Sequence, residues 1–193
     1  MLRVQLDRYI AAAATTFNSS TVMGMPAPPP WTIRPATRED GDFLVDMLVE
    51  VVNWSPEWKR KSRRRVLSAP GTAQYIADWP RENDLGVVGQ VGDERIGTAW
   101  LRFFPTAEPG YGFIAADVPE LTIGVVARWR GRGVGRALLR AVENEAQVAG
   151  IRQVSLSVER KNLAQQLYRA EGYRVVRPGY AGSDVMLKDL VQT

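Results

Sequence analysis

From Trp31 onward the apolar positions switch repeatedly between the two-residue period of a strand and the 3.6-residue period of a helix. Residues 31–36 predict a first strand. Phe43, Leu44, Met47, Leu48 and Val51 then recur at helical spacing behind a capping box of Thr37 and Asp40, so a helix is expected over 38–52. Ser55-Pro56 reads as an N-cap with proline at the first helical position, which predicts a second helix to about residue 67. A shorter helical piece, 72–79, ends at Pro80. Strands over 85–91 and 96–103 follow, joined through Gly92-Asp93-Glu94. Residues 105–119 have no period and read as a long irregular loop, of a length that is often functional.

The second half opens with a strand over 120–126 and an Arg/Gly-rich turn. Val134, Ala137, Leu138, Val142 and Ala146 then form the stripe of a helix running to Gly150, its C-cap. A strand over 153–159, a helix over 162–171 closed at Gly172, and a strand pair over 173–176 and 184–187 complete the chain. With the short piece at 72–79 set aside, the order β-α-α-β-β-β-α-β-α-β-β implies an α/β (α+β) domain with a mixed sheet and helices on both faces. A two-halves dinucleotide fold alternates more regularly. One domain is expected over 31–193. Residues 1–30 read as an appendage, with a Pro-rich extended linker at 25–30, a helix-compatible stretch at 7–14 and an alternative start at Met25.

Composition narrows the chemistry. The 193 residues include no cysteine and no histidine, so disulfides, thiolate nucleophiles, the commonest general base and the usual zinc ligands are excluded. Acid–base work falls to Asp, Glu, Tyr, Lys, a terminus or water, and no metal is expected. The net charge of +4 is carried by 21 Arg against 4 Lys, a bias that suits bidentate phosphate contacts. No run reaches the roughly 18 apolar residues of a membrane span. The apolar part of the opening stretch is short and interrupted, so the chain reads as cytoplasmic.

The sequence around the turn, LTIGVVARWRGRGVGRALL from Leu121, is a strand, a glycine turn and a helix start. Such a junction binds anions, because the first helical amides lack intrahelical partners and glycines at 131, 133 and 135 let a phosphate approach the backbone. Neither familiar phosphate pattern fits. No Gly-Lys pair exists for a P-loop, and Arg136 stands where a dinucleotide fingerprint needs its third glycine.

Arg130-Gly131-Arg132-Gly133-Val134-Gly135 instead matches the [QR]-x-x-G-x-[GA] signature of the GNAT family of N-acetyltransferases. The resemblance spans 31–190. LTIGVV resembles that family's cofactor-lining strand, TIRPATRED its first strand and helix, and SVERKNLAQQLYRAEGYRVV its second conserved block. It implies a splayed, mostly antiparallel mixed sheet and acetyl-CoA as acetyl donor. The amides of the turn, from Gly131 to Arg136, would hold the pyrophosphate. Backbone groups of Ile123, Gly124 and Val125 would pair with the pantetheine arm, with Gly124 either easing a strand distortion or packing under an aromatic ring. Arg130, Arg132 and Arg136 would add charge, though not all three can face the phosphates. Asn162 is an N-cap by its chemistry and a cofactor contact by resemblance.

The implied reaction is attack of a primary amine, on a small molecule or a peptide, on the thioester. Deprotonating an alkylamine of pKa 10.4 at pH 7 costs roughly 4.6 kcal/mol, so a base or water relay is useful. Glu120 is the first candidate by its place in the strand, although its spacing to the signature is offset by one residue from some members, which in a strand changes the face. Glu159 is the rival and Asp117 the third choice, with catalysis by a water chain as the alternative to all three. Tyr168, between Asn162 and Gly172, matches the tyrosine that the family uses as general acid toward sulfur. Complete transfer from a phenol to a thiolate is uphill by roughly 2 kcal/mol, so a hydrogen bond to developing charge is the easier role. Core packing beside Leu167 is the competing reading. The oxyanion is expected on an amide near Val125.

The cluster Lys59, Arg60, Lys61, Arg63, Arg64 and Arg65 reads as a solvated helix face rather than a nucleic-acid surface. Trp54, Trp58, Tyr111, Phe113 and Tyr180 read as core or rim of an acceptor pocket. The competing function is a non-catalytic coenzyme A-binding module of the same fold, with a nucleic-acid or acidic partner on 59–65. Homodimers are common in the family, and no interface is legible in this chain.

Overall fold

A computed structural model describes residues 29–190. The readings of 1–28, including the stretch at 7–14, lie outside the described residues. In chain order the elements are β1 (Thr32–Pro35), a 3-10 turn (Arg38–Asp40), α1 (Gly41–Val52), α2 (Arg63–Leu67), α3 (Pro70–Ala73), β2 (Leu85–Val91) and β3 (Glu94–Arg102). They continue with β4 (Glu120–Val125), α4 (Val134–Val148), β5 (Gln153–Glu159), α5 (Ala164–Ala170), β6 (Arg174–Pro178) and β7 (Ser183–Asp189). The strands form one open sheet in the order β1-β2-β3-β4-β5-β7-β6. Every neighbouring pair is antiparallel except β4 and β5.

Each face of the sheet carries its own core. On one face Phe43, Leu44, Met47 and Leu48 of α1 pack with Val88, Trp100 and Phe104. On the other Val134, Leu138, Leu139, Val142 and Ala146 of α4 pack with Ile96, Leu121, Leu156 and Met186. The side chains of β4 therefore divide, with Leu121 in the α4 core and Gly124 under Met47 of α1. A Cβ on Gly124 would stand 2.9 Å from the Met47 Cβ. Its register with Thr98 is unbroken, so glycine here permits close approach of α1 and marks no bulge. The covering side chain is a methionine and not an aromatic ring.

The expected capping box is present. The Asp40 carboxylate accepts from the Thr37 amide at 2.8 Å, and Arg34 holds it through two nitrogens at 2.7 and 2.9 Å. Two helical expectations are corrected. The helix expected from residue 56 begins only at Arg63, with Ser62 as its N-cap. Residues 59–65 place like charges at helical neighbour spacing, and only Val66 offers a buried apolar side chain, so nothing supports an earlier helix. Asn53 instead closes a loop, accepting from the Lys61 amide at 2.7 Å and donating to the Lys61 carbonyl at 3.0 Å. The piece expected over 72–79 is helical only at its start. Beyond Ala73 the chain descends through turns that bury Tyr75, Ile76 and Trp79, and Asp78 takes a left-handed φ of 57°.

Candidate active site

The parallel pair β4 and β5 is joined by a single register pair, Glu120 with Ser155. The Ser155 amide donates to the Pro119 carbonyl at 3.0 Å, and past that point no further register pair joins the two strands. β4 keeps its full ladder with β3 on its other side. The sheet is thus splayed at its centre, with its vertex at Glu120 and its open end between Val125 and Glu159. Backbone groups along such a gap have no strand partner and can pair with an extended chain, except the Val125 carbonyl, which accepts from Arg130.

The glycine turn stands at the open end. Gly131 and Gly133 have φ of 72° and 87°, the left-handed region in which a Cβ is disfavoured, and an added Cβ at either would meet nothing within 4 Å. Conformation, not crowding, requires glycine there, and the space over the turn is open. Gly133 caps α4, whose 15 residues aim their dipole and first amides at that space. Val134 is buried and anchors the turn in the core. A Cβ on Gly135 would make only ordinary contacts, 3.7 Å from Leu167 and Val125.

The arginines are partly committed elsewhere. Arg130 donates from Nε to the Val125 carbonyl at 2.9 Å and reaches Glu50 at 3.3 Å. Arg136 pairs with Glu171 at 2.9 Å, and the Arg132 guanidinium lies 5.5 Å over the Trp129 ring. What the turn offers an anion is therefore chiefly its amides.

Glu120 sits at the vertex, 3% exposed, on the α1 face. Its Oε1 accepts from the Tyr75 hydroxyl at 2.7 Å, whereas Oε2 is buried with no hydrogen-bond partner. The loop 105–119 lies directly on the carboxyl: a Cβ on Gly112 would fall 2.9 Å from Glu120 Cδ and 2.6 Å from the backbone carbonyl carbon of Leu156 on β5. Glycine is obligatory at 112 for the loop to pass between them. Burial raises the Glu120 pKa to about 7, against the opposing effects of the Tyr75 hydroxyl, the Gly112 amide and the Arg177 charge. The Gly112 amide favours the ionised form by its position alone, since no hydrogen bond of standard geometry reaches Oε2.

Tyr168 lies on α5 in the core, 7% exposed, with its ring edge-on to Tyr173 at 5.8 Å. Burial, with the Glu159 charge, pushes its phenol well above the ordinary value, so it stays protonated. Glu159 stands at the open end of the splay, half-buried, at the end of β5. Asn162 stands one residue before Leu163, the N-cap of α5, and its Oδ1 accepts from the Ala164 amide at 2.9 Å, closing the turn into the helix. Asp117 lies apart from these residues, lining a shallow depression of about 420 Å³ with Glu82, Phe103 and Ile151 at the closed end.

Sequence reasoning missed Tyr75. It also missed the buried Arg102, opposite Glu120 in the β3 register, which donates from Nε to Asp84 at 3.0 Å and from its terminal nitrogen to the Gln74 carbonyl at 2.7 Å. Partners this far apart in sequence leave no local spacing to read. Among the aromatics expected at a rim, Tyr111 and Tyr180 are exposed and stack at 6.2 Å, while Trp54 and Trp58 meet edge-on at 5.3 Å. In the basic run, Arg63 bridges Asp42 and Asp46, and Arg60 pairs with Glu50.

A sequence profile of the acetyltransferase (GNAT) family matches residues 48–173, more than half of the chain. No curated protein sequence matches it. Among solved structures, ribosomal-protein-alanine N-acetyltransferase from Brucella melitensis is similar at TM-score 0.61 and 21% identity, covering 82% of this chain and 99% of that one. YncA from Salmonella typhimurium, crystallised with its cofactor acetyl-CoA, is similar at TM-score 0.60 and 18% identity, covering 86% and 96%. PaiA N-acetyltransferase from Thermoplasma acidophilum, in complex with coenzyme A, is similar at TM-score 0.54 and 20% identity, covering 82% and 98%. At these identities the structures speak for the fold alone, and it is the match over 48–173 that decides kinship: the chain belongs to the GNAT acetyltransferase family.

Proposed function

We propose that the protein is an N-acetyltransferase that moves an acetyl group from acetyl-CoA to a primary amine of a small molecule or peptide, by direct attack of the amine on the thioester. The observation that carries this reading is the single register pair at Glu120 and Ser155, which leaves a gap between β4 and β5 leading to the amides of the Gly131–Gly135 turn. The residues suit coenzyme A. Gly131 and Gly133 hold a cradle under open space, and the strand Ile123-Gly124-Val125 borders the gap. In this reading the amides from Gly131 to Arg136 bind pyrophosphate, the backbone of 123–125 pairs with the pantetheine arm, and Asn162 flanks it from α5. The donor supplies an activated acyl carbon, and the protein supplies orientation and proton handling.

Glu120 is the proposed base. A carboxyl that titrates near neutrality is matched to taking a proton from an amine at working pH, and its buried Oε2 is the oxygen that no protein group already hydrogen-bonds. Glu159 is the alternative carboxylate at the open end. Tyr168, kept protonated by burial, is the proposed hydrogen-bond donor to the departing sulfur.

Further features of the proposal are a single catalytic domain over 31–193 and a cytoplasmic setting. Among the described residues no helix is long and apolar enough to cross a membrane. Thermal denaturation with acetyl-CoA tests the donor site, since a ligand that binds only the native state raises Tm. Thiol release across a panel of amines tests the transfer. No shift at saturating acetyl-CoA rejects the donor site, and a shift without turnover on any amine leaves a coenzyme A-binding module in place of an enzyme.

A further inference from the structure

Tyr75 follows α3 and stands 45 residues before the carboxylate it touches. Its ring is buried against Phe104, with centroids 4.9 Å apart, and stacks under Tyr111 at 6.1 Å. Its hydroxyl is used on both sides. The oxygen accepts from the Tyr111 amide at 2.6 Å, and the same oxygen lies 2.7 Å from Glu120 Oε1. An amide N–H only donates and a phenol carries one proton, so that proton is directed to the carboxylate.

The other groups around Glu120 do not duplicate this bond. Arg102, its neighbour on β3, is taken up by Asp84 and by the carbonyls of Gln74 and Ala77. Arg177 on β6 acts on Glu120 only through its charge, because its guanidinium donates to the Phe113 carbonyl at 2.7 Å. Ser155 on β5 turns its hydroxyl to the Pro119 carbonyl at 3.4 Å. Among the described residues Tyr75 is thus the one side chain that hydrogen-bonds Glu120, and it makes the two carboxylate oxygens unequal: Oε1 is bound and Oε2 is not.

We propose that Tyr75 is a positioning residue for acetyl transfer: by holding Oε1 it fixes the carboxylate and leaves Oε2 to take the proton of the acceptor amine, while the Tyr111 amide locks Tyr75 to the loop over the vertex. The proposal rests on the reading of Glu120 as base. A hydrogen bond to the ionised form favours that form, so Tyr75 offsets part of the burial penalty and keeps the base usable near neutral pH.

Tyr75→Phe tests this, because the ring and its packing remain and only the hydroxyl is lost. Two quantities are measured in parallel: the Glu120 carboxyl titration in the free protein by 13C NMR, and the pH profile of kcat/KM. The titration midpoint and the acid limb are both expected to rise by about one to two pH units, the span of a hydrogen bond to a charged group. The rate at pH 7 falls roughly tenfold and recovers as pH increases. Replacing Tyr75 by 3-fluorotyrosine, a more acidic phenol of nearly the same shape, moves the midpoint down, and decides the matter by itself if the phenylalanine variant does not fold. An unmoved midpoint in folded protein overturns the proposal, as does a rate loss equal at every pH. Failure of the underlying reading is separate: Glu120→Gln that retains the acid limb removes Glu120 from the chemistry, while the carboxyl titration still reports on Tyr75.

Discussion

Arg130 and Val125 are tied directly, the Arg130 Nε donating to the Val125 carbonyl at 2.9 Å across the junction of strand and glycine turn. The far end of the same guanidinium reaches Glu50 on α1, so the first residue of the family signature serves as a brace between turn, strand and helix. A glutamine at this position, which the signature also admits, retains an N–H to donate but has no charge for Glu50. Arg130→Gln is therefore expected to keep acetyl-CoA affinity within about threefold, and Arg130→Ala to lower it about tenfold by freeing the turn from the strand. Calorimetric titration of both variants checks this, and equal losses in the two would assign the role to charge alone.

The three glycines of the turn are not equivalent. Gly133 holds a φ of 87° as the cap of α4, whereas Gly135 lies inside the helix with room for a methyl group. Gly133→Ala is expected to cost about 1–2 kcal/mol of stability and to weaken acetyl-CoA binding by moving the cradle amides. Gly135→Ala is expected to be neutral or stabilising by up to about 0.5–1 kcal/mol, with binding unchanged. Urea unfolding and calorimetry on the two variants compare these directly, and a larger loss at 135 than at 133 contradicts the assignment.

Patterns that depend on neighbours in sequence were legible, and relationships across the sheet were not. The strands over 85–91 and 153–159 lie where alternation placed them, and the Thr37–Asp40 box forms as its spacing required. Ser55-Pro56 misled because a good cap does not make a helix without an apolar stripe behind it, and the working cap is Ser62, next to the first buried position at Val66. Gly124 shows the same limit in another form. Its sequence announces a close approach, but only the fold identifies Met47 as the group that approaches. Tyr75 and Gly112, which surround the Glu120 carboxyl, carry no mark in the sequence, since their meaning arises when the loop 105–119 folds onto the vertex.

Asp40 should govern part of the acid response. Arg34 and the Thr37 amide hold its carboxyl well below the usual carboxylate range, with burial opposing them. A depressed folded value means that its contribution is complete above the unfolded value near 3.9 and is lost as pH falls toward the folded value. Asp40→Asn is expected to cost about 1.5–3 kcal/mol at pH 7, at the low end because the Arg34 side chain is 37% exposed to solvent. The difference from the unaltered protein narrows below about pH 4. Urea unfolding of both proteins at pH 7 and pH 3 measures it, and a gap that is constant with pH excludes the ion pair as its source.

Tyr168 provides the sharpest test of the chemistry. Its phenol is protonated throughout the working range because burial and the Glu159 charge both disfavour the phenolate, so no basic limb below about pH 10 should be traceable to it. Tyr168→Phe keeps the ring that packs against Tyr173 and removes only the donor. The expected result is a fall in kcat of roughly 10- to 1,000-fold with acetyl-CoA affinity nearly intact, the pattern of an interaction made in the transition state and not in the bound ground state. Thiol-release kinetics and calorimetry on the same preparation separate the two quantities. An unchanged kcat would take Tyr168 out of the mechanism and leave its ring as part of the α4 core, while a large loss of affinity would make the hydroxyl a cofactor contact instead.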